Sequence, residues 1–224
     1  MSVLLELQLR GAGGEPVDLR RTIASHGLVD LPPMRPDEDG RVLEVTVPLP
    51  GSRPRTVRIA QGRPRQAAVT VLGRSPTPQL VETIRAAVAH VLRLDEDLSA
   101  FYEELAADPD LSWAARGAGR MVRAPTVFEE VVKTICTTNC AWSATERMVG
   151  ALVEHLGEPA AGAPRDGPYG RAFPTPEAMA RAEESFYRDV VRAGYRGTYL
   201  RSLAASVAEG ASDLEQLGQV KRDE

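Results

Sequence analysis

The sequence predicts an α+β protein, a small antiparallel β-sheet followed by an all-helical body, and three observations carry that prediction. Between residues 3 and 71 several short stretches alternate apolar and polar side chains, the period of a half-buried strand. From Pro76 the apolar spacing lengthens to that of an amphipathic helix, with Leu80, Ile84, Val88 and Leu92 on one face. At 224 residues and 43% hydrophobic, the chain is long enough for two modest domains. The change of period places their boundary near residue 74, so residues 1–74 are expected as a β domain and 75–224 as a helical domain.

Four strands are expected. Residues 3–9 set Val3, Leu5, Leu7 and Leu9 against Leu4, Glu6 and Gln8, and similar alternation marks residues 43–47, 57–59 and 69–71. Residues 18–25, with Leu19 and Ile23, suit a short helix packed on the sheet. Pro48, Pro50, Gly51 and Pro54 interrupt one connection and residues 62–65 another.

In the helical half, Thr126 and Glu129 have the spacing of a capping box, in which the hydroxyl and the carboxylate each satisfy a backbone N–H. Phe128, Val131, Val132 and Ile135 then form an apolar stripe. An unbroken helix would bring Asn139 back onto that buried stripe, where an unpaired amide is costly, so a break before Asn139 is expected. Ser143 and Glu146 repeat the capping spacing, and Met148, Val149, Leu152 and Leu156 make a second stripe that stops at Gly157 and Pro159. Residues 137–142 are thus the corner of a helical hairpin, with Trp142 as a packing aromatic. Residues 160–170 read as a Gly/Pro-rich loop, Thr175 and Pro176 as the N-cap and first position of a helix, and residues 184–193 as a helical run closed by Gly194. A last helix covers residues 196–209, before Gly210.

Few side chains suggest covalent or metal chemistry. Cys136 and Cys140 are four apart, but a tetrahedral site needs about four ligands and no His or further Cys lies near in sequence. They read as small buried apolar groups, and no metal or cofactor is expected. His26, His90 and His155 are scattered without metal spacing, and residues 11–14 are a turn and not a phosphate-cradling loop. Arg188, Arg192 and Arg196 lie at i, i+4 and i+8, which is either a phosphate-facing ridge or a solvated face. Arg116, Arg120 and Arg123 make a basic approach to the hairpin. The net charge of −4 weighs mildly against a nucleic-acid binder, although local patches decide such binding. No apolar run approaches a membrane span, the start lacks the basic region of a secretory signal, and two cysteines suit a reducing cytoplasm. The abundance of Arg, Ala, Gly and Pro fits a GC-rich bacterial coding source.

Two motifs then resemble a family. Pro125-Thr-Val-Phe-Glu-Glu-Val-Val-Lys-Thr-Ile-Cys-Thr-Thr-Asn139, followed by Arg147-Met-Val149, is similar to the segment of helix-hairpin-helix DNA glycosylases, the 3-methyladenine and 8-oxoguanine type, that carries an asparagine at the lesion. Ala193-Gly-Tyr-Arg-Gly-Thr-Tyr-Leu200 resembles the Gly-Tyr-Arg-x-x-Tyr segment further along the same proteins, in the same order and at a matching separation. The resemblance implies that Asn139 fills the space left by a flipped base and bonds its orphaned partner. It implies that Tyr195 wedges beside the distorted duplex and that Arg196 contacts a base or a phosphate. Gly194 and Tyr195 read equally as the close of one helix and the apolar contact that follows it.

The family continues into a helix-hairpin-helix with a Leu-Pro-Gly-Val-Gly-like turn, then an aspartate that stabilises the cationic sugar and, in bifunctional members, a lysine that attacks it. These 224 residues contain no such turn, and neither Lys221 nor Asp223 follows one. No catalytic residue is therefore assigned, and the aspartate and optional lysine are expected beyond Glu224, as is any iron–sulfur cluster of the kind some relatives carry. The resemblance implies a base-excision-repair glycosylase that removes an alkylated or oxidised purine from double-stranded DNA, monomeric, cytoplasmic, associated with the nucleoid and with no membrane partner. The 224 residues alone are expected to be inactive. The alternative is a non-catalytic module that binds bent or damaged DNA.

Overall fold

The protein is described by a computed structural model covering residues 3–25 and 27–216, and His26, Lys221 and Asp223 lie outside the described residues. Five strands form one antiparallel sheet in the order β1-β5-β4-β3-β2. They are β1 (Val3–Gln8), β2 (Met34–Pro36), β3 (Val42–Leu49), β4 (Ser52–Gln61) and β5 (Gln66–Val71). Four correspond to the expected strands. The fifth, β2, spans three residues and stops at Pro36, too short to display a period.

Register gathers the apolar residues on one face. Leu5, Val69, Ile59 and Leu43 stand in one row across the sheet, and Val71, Val57, Val45 and Met34 in another, all of them buried. On the other face Glu44 stands directly between Arg35 and Arg58, with N···O separations of 2.8 and 3.1 Å. Exposed pairs of this kind contribute little stability, but a one-residue slip would break both and turn the apolar rows to water.

The apolar face is covered by α1 (Leu19–Ile23), which Asp18 caps, and by α2 (Pro78–Val91), which Thr77 caps. Ile84, Val88, Val91 and Leu92 join the strand residues in one core, with Val122 and Ala124 at its margin. After α3 (Ser99–Ala107), held by a 2.7 Å bond from the Tyr102 hydroxyl to the Ala118 carbonyl, the chain enters a second core. That core is built from α4 (Val127–Thr137), α5 (Trp142–Leu156), α6 (Pro176–Arg181) and α7 (Arg196–Ala208), together with Leu31 from the loop before β2.

Four local expectations change here. Thr126 does cap α4, accepting from Glu129 N at 3.2 Å, but the Glu129 carboxylate turns inward and takes the Lys133 ammonium at 2.6 Å. The buried stripe of α4 is accordingly Phe128, Glu129, Val132, Lys133 and Cys136, while Val131 and Ile135 are half-buried. Ser143 caps nothing, because the turn after α4 closes by Ala141 and α5 has already begun at Trp142. Gly157 ends α5 with φ −72°, so no left-handed turn calls for glycine; a Cβ there would lie 2.4 Å from both the Val153 and Ala172 carbonyl oxygens, and close approach selects it.

The Glu129–Lys133 pair ties the two halves together. Lys133 Nζ also donates to the Leu31 carbonyl at 3.3 Å, and the Phe173 ring lies 5.9 Å away. Burial pushes the Glu129 carboxyl up, and the neighbouring Lys133 charge opposes that shift. Removing one partner leaves a buried charge without its counter-charge, so Lys133→Met should lower stability by about 3–5 kcal/mol in urea unfolding. Glu129→Leu combined with Lys133→Met should recover most of that loss, and a double variant no more stable than the single one would show that the pair is not what holds α4.

Candidate nucleic-acid interface

α4 ends where its side chains turn polar. Thr138 Oγ1 donates to the Ile135 carbonyl at 2.8 Å, and the next residue, Asn139, takes φ +45°. Asparagine tolerates this left-handed conformation, and a single such residue is enough to swing the chain into α5. The inside of the turn is satisfied locally: Thr145 Oγ1 and Cys140 Sγ both donate to the Cys136 carbonyl, at 3.0 and 3.2 Å. Asn139 itself is exposed.

A second segment, far along the chain, meets this corner. The helix expected over 184–193 is shorter, covering 184–190, and it closes in a π-helical turn, Phe186–Val190, pinned by the Tyr187 hydroxyl on the Met179 carbonyl at 2.6 Å. Gly194, at φ +59°, then reverses the chain into α7. Arg147 of α5 fastens the segment by donating to the Val191 carbonyl at 2.5 Å. Tyr195 and Tyr199, one turn apart, stand out from the surface at 56% and 62% exposure, their rings edge to face with centroids 6.3 Å apart. The Thr138 and Asn139 side chains beside the Tyr195 hydroxyl hold its pKa below the ordinary tyrosine value.

Asn139 and Tyr195 are therefore brought together, whereas Arg196 faces the other way. Its side chain is only 7% exposed; Nε donates to Thr138 Oγ1 at 3.3 Å, Nη2 to the Thr138 carbonyl, and the guanidinium carbon lies 4.6 Å from the Tyr195 ring centroid. The arginine ridge does not form, since Arg196 is buried, Arg192 sits at φ +55° outside any helix, and Arg188 is paired with Asp189 at 2.8 Å. The basic approach is likewise reduced to Arg116. Arg120 is fully buried against Glu15 and the Arg93 carbonyl, and Arg123 is engaged by Glu96 and Asp95.

Two aromatic residues gain a place that their sequence context did not assign. Trp142 is 42% exposed, with its indole over Gly27, and is not buried inside the hairpin. Tyr199 shares the face of Tyr195, and its i+4 spacing was the available signal. One turn before the corner, Lys133 and Thr134 of α4 line a cavity of about 420 Å³ together with Leu28, Met34 and Met121. That volume is within the range of small-ligand sites.

Among the described residues no group of three or more His, Cys, Asp or Glu could hold a metal ion. Cys136 is fully buried, and burial pushes its thiol up to about 12, with the Arg196 charge working against that shift.

No protein-family model matches the sequence, and no curated protein matches it. Solved structures do. A 3-methyladenine DNA glycosylase from Archaeoglobus fulgidus superposes with a TM-score of 0.71 at 18% identity, over 97% of this chain and 70% of that one. The apo 8-oxoguanine glycosylase/lyase of Clostridium acetobutylicum gives 0.66 at 17% identity, over 98% and 68%. The same enzyme in complex with double-stranded DNA containing cytosine opposite 8-oxoguanine gives 0.60 at 18%, over 87% and 63%. The α+β fold expected from the sequence is thus the fold of these DNA glycosylases, and the chain spans roughly two thirds of their length.

A thiol with a pKa near 12 is ionised in about one molecule in ten thousand at pH 8, so iodoacetamide should leave Cys136 unmodified in the folded protein and alkylate it in urea. Rapid native labelling of Cys136, read by mass spectrometry, would contradict the buried placement of the α4 end.

Proposed function

We propose that this protein is the lesion-probing part of a base-excision-repair DNA glycosylase that acts on an alkylated or oxidised purine in duplex DNA. The observation that carries the reading is that exposed Asn139 and exposed Tyr195, 56 residues apart in sequence, stand at one corner, where Arg196 next to Tyr195 is hydrogen-bonded to Thr138 next to Asn139. Swinging a nucleotide out of a duplex costs a few kcal/mol in lost stacking and pairing. A carboxamide offers both a donor and an acceptor to the edge of the base left behind, and an aromatic ring offers a stacking surface worth about 1–3 kcal/mol per base. Together these offset the cost of extrusion. The cavity one turn along α4 gives an extruded base a place to go.

The fold shared with a 3-methyladenine glycosylase and an 8-oxoguanine glycosylase/lyase supports this reading, as does the seating of the latter on duplex DNA. Cleaving an N-glycosidic bond requires a group that stabilises the positive charge developing on the sugar. No carboxylate is among the hydrogen-bond partners of Thr138, Asn139 or Tyr195 among the described residues, so we assign to them recognition and not bond breaking. The protein works as a monomer on bacterial nucleoid DNA. Among the described residues no helix is long and apolar enough to cross a membrane.

Fluorescence anisotropy with a duplex carrying a tetrahydrofuran abasic site and with its intact counterpart tests the reading. Tighter binding of the gapped duplex, weakening as salt rises, is expected, with no release of 8-oxoguanine or 7-methylguanine from damaged duplexes. Asn139→Ala and Tyr195→Ala should each cut the preference for the gap by about tenfold, the loss of one good polar or stacking contact. Equal affinity for the two duplexes would sink the probing role, and efficient base release would sink its separation from catalysis.

A further inference from the structure

Three of the five Arg196 N–H groups are turned to the protein itself. Nε and Nη2 are taken by the hydroxyl and the carbonyl of Thr138, Nη1 approaches the Ala193 carbonyl at 3.5 Å, and the group is nearly closed to solvent. Thr138 is the C-cap of α4, where carbonyls no longer find partners within the helix and a cation also meets the negative end of the helix dipole. Its neighbour Asn139, at φ +45°, turns the chain away from α4 at this point. The flat guanidinium also lies against the Tyr195 ring, 4.6 Å from its centroid. Contacts thus run from Thr138, the residue before Asn139, through the Arg196 guanidinium to the Tyr195 ring.

From these contacts we infer that Arg196 is a positioning residue: it locks the Asn139 corner and the Tyr195 ring into one rigid two-pronged unit, and it does not itself touch DNA. The inference rests on the probing role proposed above and assigns to Arg196 a task different from the base or phosphate contact that its motif implies. Its physical content is rigidity. A carboxamide and a ring that moved independently would each be ordered only on binding, and the cost of that ordering would be subtracted from affinity for the gap. Held together beforehand, they enter the helix as one piece. The shape of arginine matters as much as its charge, because a lysine ammonium cannot bond both Thr138 oxygens while lying flat against a ring.

The test compares wild type with Arg196→Lys, which keeps the charge, Arg196→Met, which keeps the stem, and Thr138→Ala, which removes one acceptor. Binding of the abasic and intact duplexes is followed from 50 to 200 mM salt. In both Arg196 variants the preference for the gap is expected to fall by about tenfold, and the slope of log affinity against log salt is expected to stay at its wild-type value. A slope shallower by about 0.9, the signature of one lost phosphate contact, would overturn the inference, and so would an unchanged preference. If Arg196→Met does not fold, Arg196→Lys and Thr138→Ala carry the same readings. A second arm needs no DNA: in Arg196→Lys the Tyr195 hydroxyl, followed by NMR on ring-labelled tyrosine, should titrate closer to the ordinary tyrosine value. A titration identical to wild type would refute the link. If the wild-type protein shows no preference for the gap, the DNA-probing role fails, while the tyrosine titration still decides whether Arg196 couples the two prongs.

Discussion

The arrangement depends on how α4 is held, because this helix is fastened at its start, middle and end by three unrelated parts of the chain. At its start, Thr126 accepts from Glu129 N, and the Glu215 carboxylate, beyond α7, accepts from Val127 N and Phe128 N at 3.0 and 3.3 Å. Its middle carries the buried Glu129–Lys133 pair, which reaches the Leu31 carbonyl ahead of the sheet. At its end, Arg196 covers the Thr138 carbonyl. Anions thus sit at the positive end of the helix dipole and a cation at the negative end, the favourable sense in both cases. Each tether uses a charged group, and two of the three are shielded from water, where a hydrogen bond to a charged group is strong but intolerant of a missing partner.

Much of the fold could be read before any coordinates. The sheet was legible because one of its faces is dry and the other is not, which writes a period of two into Leu5, Leu7, Leu43, Val45, Val57, Ile59, Val69 and Val71. α2 and α5 were legible for the same reason at the helical period. β2 escaped because three residues carry no period, and the π-helical turn at Phe186–Val190 escaped because its composition suits an ordinary helix. The stripe on α4 was misplaced by the assumption that charged side chains face water. Glu129 and Lys133 are four apart and neutralise each other, so both go inside, and polarity alone could not announce that.

The corner shows a different limit. The break before Asn139 followed from a local argument, the cost of burying an amide, and local arguments survive folding. The roles of the arginines did not follow, because an arginine's task depends on partners distant in sequence. Arg120 finds Glu15, Arg123 finds Glu96, and Arg196 finds Thr138. Spacing at i, i+4 and i+8 promised a basic ridge only if the helix continued, and the left-handed residues Arg192 and Gly194 end it. Net charge was a poor guide for the same reason. Glu15, Glu44, Glu96 and Glu129 are all committed to ion pairs with residues of the same chain, so their contribution to the total of −4 says little about the field near Asn139.

What makes the corner suited to enter a double helix is how its polar groups are divided. The backbone and side-chain groups that face inward at 136–140 are bonded to one another, through Thr145, Cys140 and Thr138, so the turn keeps its shape without help from water. The groups that face outward are few, and the carboxamide among them is not drawn into the interior network. A base that has lost its partner needs a donor and an acceptor delivered together, and a group already consumed by its own protein would have to break bonds in order to make them. Asn139 escapes that competition because its left-handed backbone points the chain into α5 while its neighbours absorb the interior bonds. An alanine could not bond the orphan, and a longer glutamine would lose more rotamer freedom on insertion. A short carboxamide on a rigid bend therefore combines hydrogen-bonding capacity with a low cost of ordering, the combination that filling a vacated position in stacked bases requires.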